Sequence, residues 1–297
     1  MDKSFIVGMV LFVVCALAPY AVGLLLLVIK GKRSKERWPE DFKLLRAPGE
    51  TLRRKIFQMD ENVPQNAFLF VFVPWVIAWL ILWGLPKLGK VFVWPSLILA
   101  ALVLIVGLVV SCRWVYGSFI KRRDYLLGYM GERAVGEWLA TLPREYRVFH
   151  DVPVDEGKGA FNLDHVVVGP TGLFAIETKT RRKGRAREGF ADHKVFYDGR
   201  QLIWPWAEDT YGLQQATNEA EWLTKWIRQM TGLDIAARPV LALPGWWVET
   251  RTPGPVAVQN PKNLPTHILG KGLCILDPQQ VDLIARQLDS RCRDVKD

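Results

Sequence analysis

Asp164, Glu177 and Lys179 fall within one short stretch, Phe161 to Thr180 (FNLDHVVVGPTGLFAIETKT), that otherwise reads as core. Two apolar runs flank the turn Gly169-Pro170-Thr171-Gly172, which makes the stretch a β-hairpin. If Val168 pairs with Leu173, Asp164 falls opposite Glu177, and directly opposed residues share a sheet face. Lys179 lies two residues beyond Glu177, and the alternation of a strand returns it to that face. Two carboxylates this close repel unless something positive sits between them. A hard divalent cation such as Mg²⁺ takes oxygen ligands, commonly one or two carboxylates plus water and phosphate. A protonated lysine cannot bind the ion, but it can orient a water and stabilise charge developing on a phosphate. Acid, acid and lysine on one face therefore suit metal-assisted phosphodiester hydrolysis. The competing structural reading makes Asp164 a turn cap and Glu177–Lys179 an exposed ion pair.

The elements that must hold this hairpin are legible around it. Asp124 to Leu142 has helical apolar spacing ended by Pro143, and Gly128, Gly131 and Gly136 leave its stability to packing. YRVFHDVPV reads as a strand, and KVFYDGRQLIW as a second hairpin through Asp198-Gly199. YGLQQATNEAEWLTKWIRQM is an amphipathic helix with Leu213, Ala216, Ala220, Leu223 and Ile227 on one face. Strands at Pro239 to Leu243 and Pro255 to Val258, then a helix from Pro278 to Arg291, complete one mixed α/β domain over 121–297.

Ahead of that domain come three apolar segments, about 5–29, 67–85 and 91–112, each close to the ~20 residues that cross a bilayer. They are expected to be three transmembrane helices. Lys and Arg crowd the 30–66 loop and the stretch after Arg113, which places both inside and the N-terminus outside. The chain of 297 residues has a formal charge of +9. Residues 1–120 carry 14 Lys/Arg against 7 Asp/Glu, and residues 121–297 carry 25 against 23. Most of the excess is thus a topology and lipid-surface signal rather than a nucleic-acid footprint. Cys15, Cys112, Cys274 and Cys292 form no CxxC or Cys/His spacing, which argues against structural zinc and fits a reducing compartment.

With Gly131-Glu132 and Val135 on the first helix, then YRVFHDV, NLDHVVVGPTGLFAIETKT and GLQQATNEAEWL, the chain resembles the NERD (nuclease-related) domain of the PD-(D/E)XK restriction-endonuclease-like superfamily over roughly residues 128–245. The resemblance implies a restriction-endonuclease-like mixed sheet flanked by helices. It implies that Asp164 and Glu177 bind metal, that Lys179 is the superfamily lysine, and that Glu132 and Gln215 complete the pocket. Thr180 stands where the family often has Asn.

The expectation is therefore an inner-membrane protein whose cytoplasmic domain hydrolyses DNA or RNA phosphodiesters with Mg²⁺ or Mn²⁺. The alternative is a catalytically inactive module that tethers nucleic acid or a partner protein to the membrane. Homo-oligomers or other membrane partners are compatible with both readings. Arg181, Arg182, Lys183 and Arg185 are candidate phosphate contacts. His165 should point to the opposite sheet face as a core or supporting residue, Glu137 is the runner-up to Glu132, and Trp204, Trp206, Trp246 and Trp247 favour packing or membrane contact over base stacking.

Overall fold

A computed structural model of the chain describes residues 44–89, 91, 93–154, 161–270 and 276–295. In chain order the elements are β1 (Leu44–Leu45), α1 (Glu50–Gly84), a 3-10 turn (Leu85–Leu88), α2 (Val93–Leu139), β2 (Arg147–Pro153), β3 (Asn162–Gly169) and β4 (Gly172–Thr178). Then follow β5 (Lys194–Tyr197), β6 (Leu202–Ile203), β7 (Glu208–Asp209), α3 (Tyr211–Thr231), β8 (Ala237–Ala242), β9 (Trp247–Thr250), β10 (Ala257–Gln259), α4 (Leu264–Gly270), α5 (Pro278–Cys292) and β11 (Arg293–Val295).

The central sheet has the order β10-β8-β4-β3-β2. Strands β2, β3 and β4 are antiparallel neighbours, whereas β4, β8 and β10 run parallel. Every residue of β4 is buried, as expected for a strand covered on both faces. One face packs Val166, Val168, Leu173 and Ala175 against Leu223 and Ile227 of α3 and Ile284 and Leu288 of α5. The other packs Val167, Phe174 and Ile176 against Val135 and Leu139 of α2 and Ile268 of α4. The Asp198-Gly199 hairpin joins β7 and β9 in a separate sheet, order β7-β6-β5-β9, which the sequence did not separate from the main one. Trp204 and Trp246 are buried in its core, with Trp206 packed against them, while Trp247 is exposed.

The apolar segments depart from expectation in their boundaries. Segment 5–29 lies outside the described residues. The helix that carries the third segment does not end at Cys112: α2 runs unbroken from Val93 to Leu139 and absorbs the helix expected over 124–142. No proline or turn chemistry separates the two, so the backbone ladder propagates through Gly117. Among the described residues, α2 is the one helix long and apolar enough to cross a membrane, with an 18-residue window of mean hydropathy 2.7. The second segment belongs to α1, where the apolar stretch is shorter, Phe72–Leu88. Residues 50–66, expected as loop, are the first half of α1. Pro74 can sit inside α1 because the Phe70 carbonyl, which loses its i+4 donor there, lies 3.0 Å from Ser111 Oγ of α2. That hydroxyl also reaches Gly107 O at 2.7 Å and shares its one hydrogen between the two.

Candidate functional site

The hairpin register matches the sequence expectation. Val168 pairs with Leu173 and the last ladder pair is His165–Ile176, so Asp164 and Glu177 stand one step further along. Both follow the face that carries Val166, Val168, Leu173 and Ala175, toward α3. The Thr178 amide donates to Asp164 Oδ2 at 2.7 Å, which fixes that carboxylate against β4. Lys179 is held just past β4 by its own amide, which donates to Ala242 O of β8 at 2.9 Å.

From that anchor the lysine turns back into the site. Its Nζ lies 2.6 Å from Glu177 Oε1 and donates to Gln215 Oε1 of α3 at 2.7 Å. Burial by itself would depress the ammonium, but the Glu177 charge and hydrogen bond outweigh it, and the Lys179 pKa is raised. The side chain is therefore a cation and a donor at neutral pH, not a base. Gln215 Nε2 in turn donates to Glu219 Oε1 at 2.9 Å, which sets the amide so that its oxygen faces the lysine.

Glu132 enters from α2. Gly131, its neighbour, is where the helix meets the strand end: a Cβ there would lie 2.1 Å from Thr180 Cγ2. Only the missing side chain lets α2 approach this closely and carry Glu132 to the end of the hairpin. Burial first, then the charges of Asp151 and Glu177, push Glu132 up to about 8. Asp164 is raised well above its ordinary value by burial, then by Glu177, Glu132 and Glu219. Glu219 is raised to about 10 by burial and by Glu177. Glu177 Oε2 and Glu219 Oε2 are both buried without a donor.

Four mutually repelling acids with an orphaned carboxylate oxygen are the donor chemistry a hard divalent cation neutralises. Among the described residues no group of three His, Cys, Asp or Glu side chains converges to enclose an ion. Asp164 and Glu177 could supply two carboxylates to such an ion, whose other positions Mg²⁺ commonly fills with water and phosphate.

The structure thus brings together Asp164, Glu177, Lys179, Glu132 and Gln215. The basic run that follows Lys179 has its own contacts. Arg181 pairs with Asp209, Arg182 pairs with Asp124 at 2.7 Å, Lys183 stands 5.9 Å from the Trp246 ring, and Arg185 is exposed. Glu137 is exposed and pairs with Arg133 of its own helix. His165 points to the other face, fully buried, with Nδ1 2.8 Å from Nδ1 of His150.

Two groups of residues were not read from the sequence. Glu219 carried a local signal: it lies four residues after Gln215 on the apolar face of α3, where a carboxylate is costly. The second group precedes and includes the start of α1. Asp151 Oδ2 accepts from Arg46 Nη1 at 3.0 Å, from the Thr51 amide at 2.9 Å and from Thr51 Oγ1 at 2.7 Å, and its Oδ1 accepts from Asn162 Nδ2 at 2.8 Å. A cleft of about 910 Å³ is lined by Arg46, Thr51 and Lys55 on this side and by Glu132, Asp164 and Gln215 on the other. No local periodicity announces contacts across a hundred residues of chain.

Comparison with known proteins bears on the central part of the chain. Residues 127–244 match the family model described as nuclease-related domain, NERD. No curated protein and no solved structure matches the chain. The matched segment holds the β3–β4 hairpin, Glu132 and the α3 residues Gln215 and Glu219, and excludes Arg46 to Lys55.

Proposed function

We propose that this protein is a membrane-anchored nuclease that hydrolyses nucleic-acid phosphodiester bonds with Mg²⁺ or Mn²⁺. The observation that carries the reading is the convergence of Asp164, Glu177, Lys179 and Gln215 at one end of the hairpin, with Glu132 reaching it from α2. When bound, the divalent ion would polarise the phosphoryl oxygens and lower the pKa of a coordinated water. Asp164 and Glu177 would hold it. Lys179, kept cationic, would donate from Nζ to the attacking water or to a non-bridging phosphate oxygen as negative charge grows there. Gln215 fixes the lysine by accepting a hydrogen bond from its Nζ at Oε1. Glu132, protonated near neutral pH in the metal-free site, is a carboxyl that can accept or release a proton at the edge of the cleft. In the overall reaction the water oxygen bonds to phosphorus, one ester P–O bond breaks, and the leaving oxygen takes up a proton.

Membrane anchoring is supported by the apolar length of α2 and by side chains that stay exposed along the helical pair, among them Trp75, Leu80, Ile98, Ile105 and Leu108. A continuous apolar surface of this kind is out of place in water. The basic residues that flank these segments would keep the nuclease-related domain on the cytoplasmic side of the inner membrane.

The test is cleavage of DNA and RNA by the full chain in detergent with Mg²⁺ or Mn²⁺, comparing Lys179→Ala with Lys179→Arg. The reading expects loss of about 10²-fold or more in Lys179→Ala, in the range set by one electrostatic donor to the reacting group. Equal rates for the parent and Lys179→Ala would remove the lysine, and the proposed chemistry with it.

A further inference from the structure

The proposed reaction needs a polyanion to enter a cleft lined by the carboxyl groups of Glu132, Asp151 and Asp164, none of which attracts a phosphate. Cations on the wall must supply that attraction. The basic run after Lys179 is turned to acids elsewhere, with Arg181 on Asp209 and Arg182 on Asp124, and none of its residues lines the cleft. Three cations do line it: Arg46, Lys55 and Arg291. Arg46 is committed to Asp151, with only 9% of its side chain exposed. The Arg291 Nε donates to Pro153 O, and its guanidinium packs 5.3 and 5.2 Å from the Trp222 and Trp226 rings. Lys55 is different. It is exposed, forms no ion pair among the described residues, and its Nζ stands 5.8 Å from the Tyr125 ring.

Its position is built, not incidental. Thr51, Leu52 and Lys55 share one helical face at spacings of three and four residues, and all three line the cleft. Thr51 is clamped by two hydrogen bonds to Asp151 Oδ2 and a third, at 2.6 Å, from Asn162 Nδ2. Asn162 lies two residues before Asp164 on β3, so the clamp ties the first turn of α1 to the strand that bears the first acid. Gly49, at φ 74°, turns the chain into the helix beside Tyr129 and Glu132. Lys55, one turn beyond Thr51, is thereby presented to the same cleft as Glu132, and its charge acts on that carboxyl.

From this placement we infer that Lys55 is a substrate-binding residue, contributed from outside the nuclease-related segment, that contacts a backbone phosphate of the nucleic acid beside the scissile bond. The inference rests on the nuclease reading for the identity of the ligand. It makes the first turn of α1 a wall of the substrate site, so a fragment that begins after α1 would lack part of it.

The experiment uses the full chain in detergent and a fluorescent single-stranded oligonucleotide, DNA and RNA in separate runs. Binding by anisotropy and steady-state cleavage are measured from 50 to 200 mM salt for the parent, Lys55→Ala and Lys55→Arg. One lost phosphate contact reduces the salt slope by about 1. The expected result for Lys55→Ala is that slope change, with Kd and KM raised roughly 3- to 10-fold at the lower salts, kcat within about twofold, and recovery in Lys55→Arg. An unchanged slope and Kd in Lys55→Ala would overturn the inference while leaving the nuclease reading intact. If the parent binds but does not cleave, the nuclease reading fails and the slope still decides the role of Lys55. A parent that neither binds nor cleaves overturns both.

Discussion

Replacing Asp151 by Ala should be among the most damaging single changes outside the reacting groups. Asp151 is 3% exposed and accepts hydrogen bonds from Arg46, the Thr51 amide, Thr51 Oγ1 and Asn162. Its pair with Arg46 is buried on both sides, the side chains being 9% and 4% exposed. Removing one partner of a buried pair typically costs about 3–5 kcal/mol, mostly because the other charge stays buried without it. The Arg46 contact to the Asp151 carbonyl survives the change and softens that figure. Asp151 also has φ 49°, in the left-handed region, where Ala costs roughly 1 kcal/mol and Asn is tolerated. With that softening, the expected loss is about 3–5 kcal/mol for Ala and about 1–3 kcal/mol for Asn, which keeps the backbone and most acceptors. Domain stabilities of about 5–15 kcal/mol make the first of these a large fraction. The assay is denaturant unfolding of the full chain followed by tryptophan fluorescence, with Arg46→Met and the double variant completing a cycle. A coupling of about 2 kcal/mol or more is expected. Refutation would be an Asp151→Ala cost below about 1 kcal/mol, or single-variant costs that simply add.

Three further outcomes follow from the site. Gly131→Ala should separate α2 from Thr180 and cost about 1–3 kcal/mol with reduced cleavage, and Thr180→Ala in the same chain should restore both, as read by unfolding and turnover. In metal-free protein Glu132 holds its proton up to about pH 8, whereas the unfolded chain releases it near 4.5. The folded state then binds more protons across that window, so stability is present at the acid end and falls as pH rises, by at most about 1.4 kcal/mol per pH unit for this group. Glu132→Gln should flatten that slope in unfolding measured between pH 5 and 8, and an unflattened slope would rule the group out. Glu219→Gln keeps an acceptor for the Gln215 amide and should be tolerated, whereas Glu219→Ala should lower kcat by releasing Gln215 and Lys179; equal kcat in the two variants would count against the relay.

The site was legible in the sequence to the extent that it is local. The register of the β3–β4 hairpin follows from its four-residue turn, and period-two alternation then puts Asp164, Glu177 and Lys179 on one face. The glycines that weaken the helix over 124–142 signalled close packing, and Gly131 shows what that packing serves. Helix limits were less legible. Hydropathy marked the apolar stretch to Cys112, but helix propagation is set by backbone continuity, which carries α2 on to Leu139. The separate sheet of β5, β6, β7 and β9 depends on a parallel pairing between strands fifty residues apart, which alternation cannot encode. The same holds for Arg46, Thr51 and Lys55. Their basic neighbourhood reads as a topology signal, and only the long-range clamp on Asp151 turns it into a cleft wall.

The central claim is that Asp164 and Glu177 hold a divalent ion that hydrolysis requires. Its most direct test is Mn²⁺ titration calorimetry on the full chain and on Asp164→Ala, run beside single-turnover cleavage of the same preparations. The account predicts Mn²⁺ binding and cleavage in the parent, and loss of both in Asp164→Ala without loss of the fold. Cleavage that persists in Asp164→Ala, or a folded parent that binds no Mn²⁺, would contradict it.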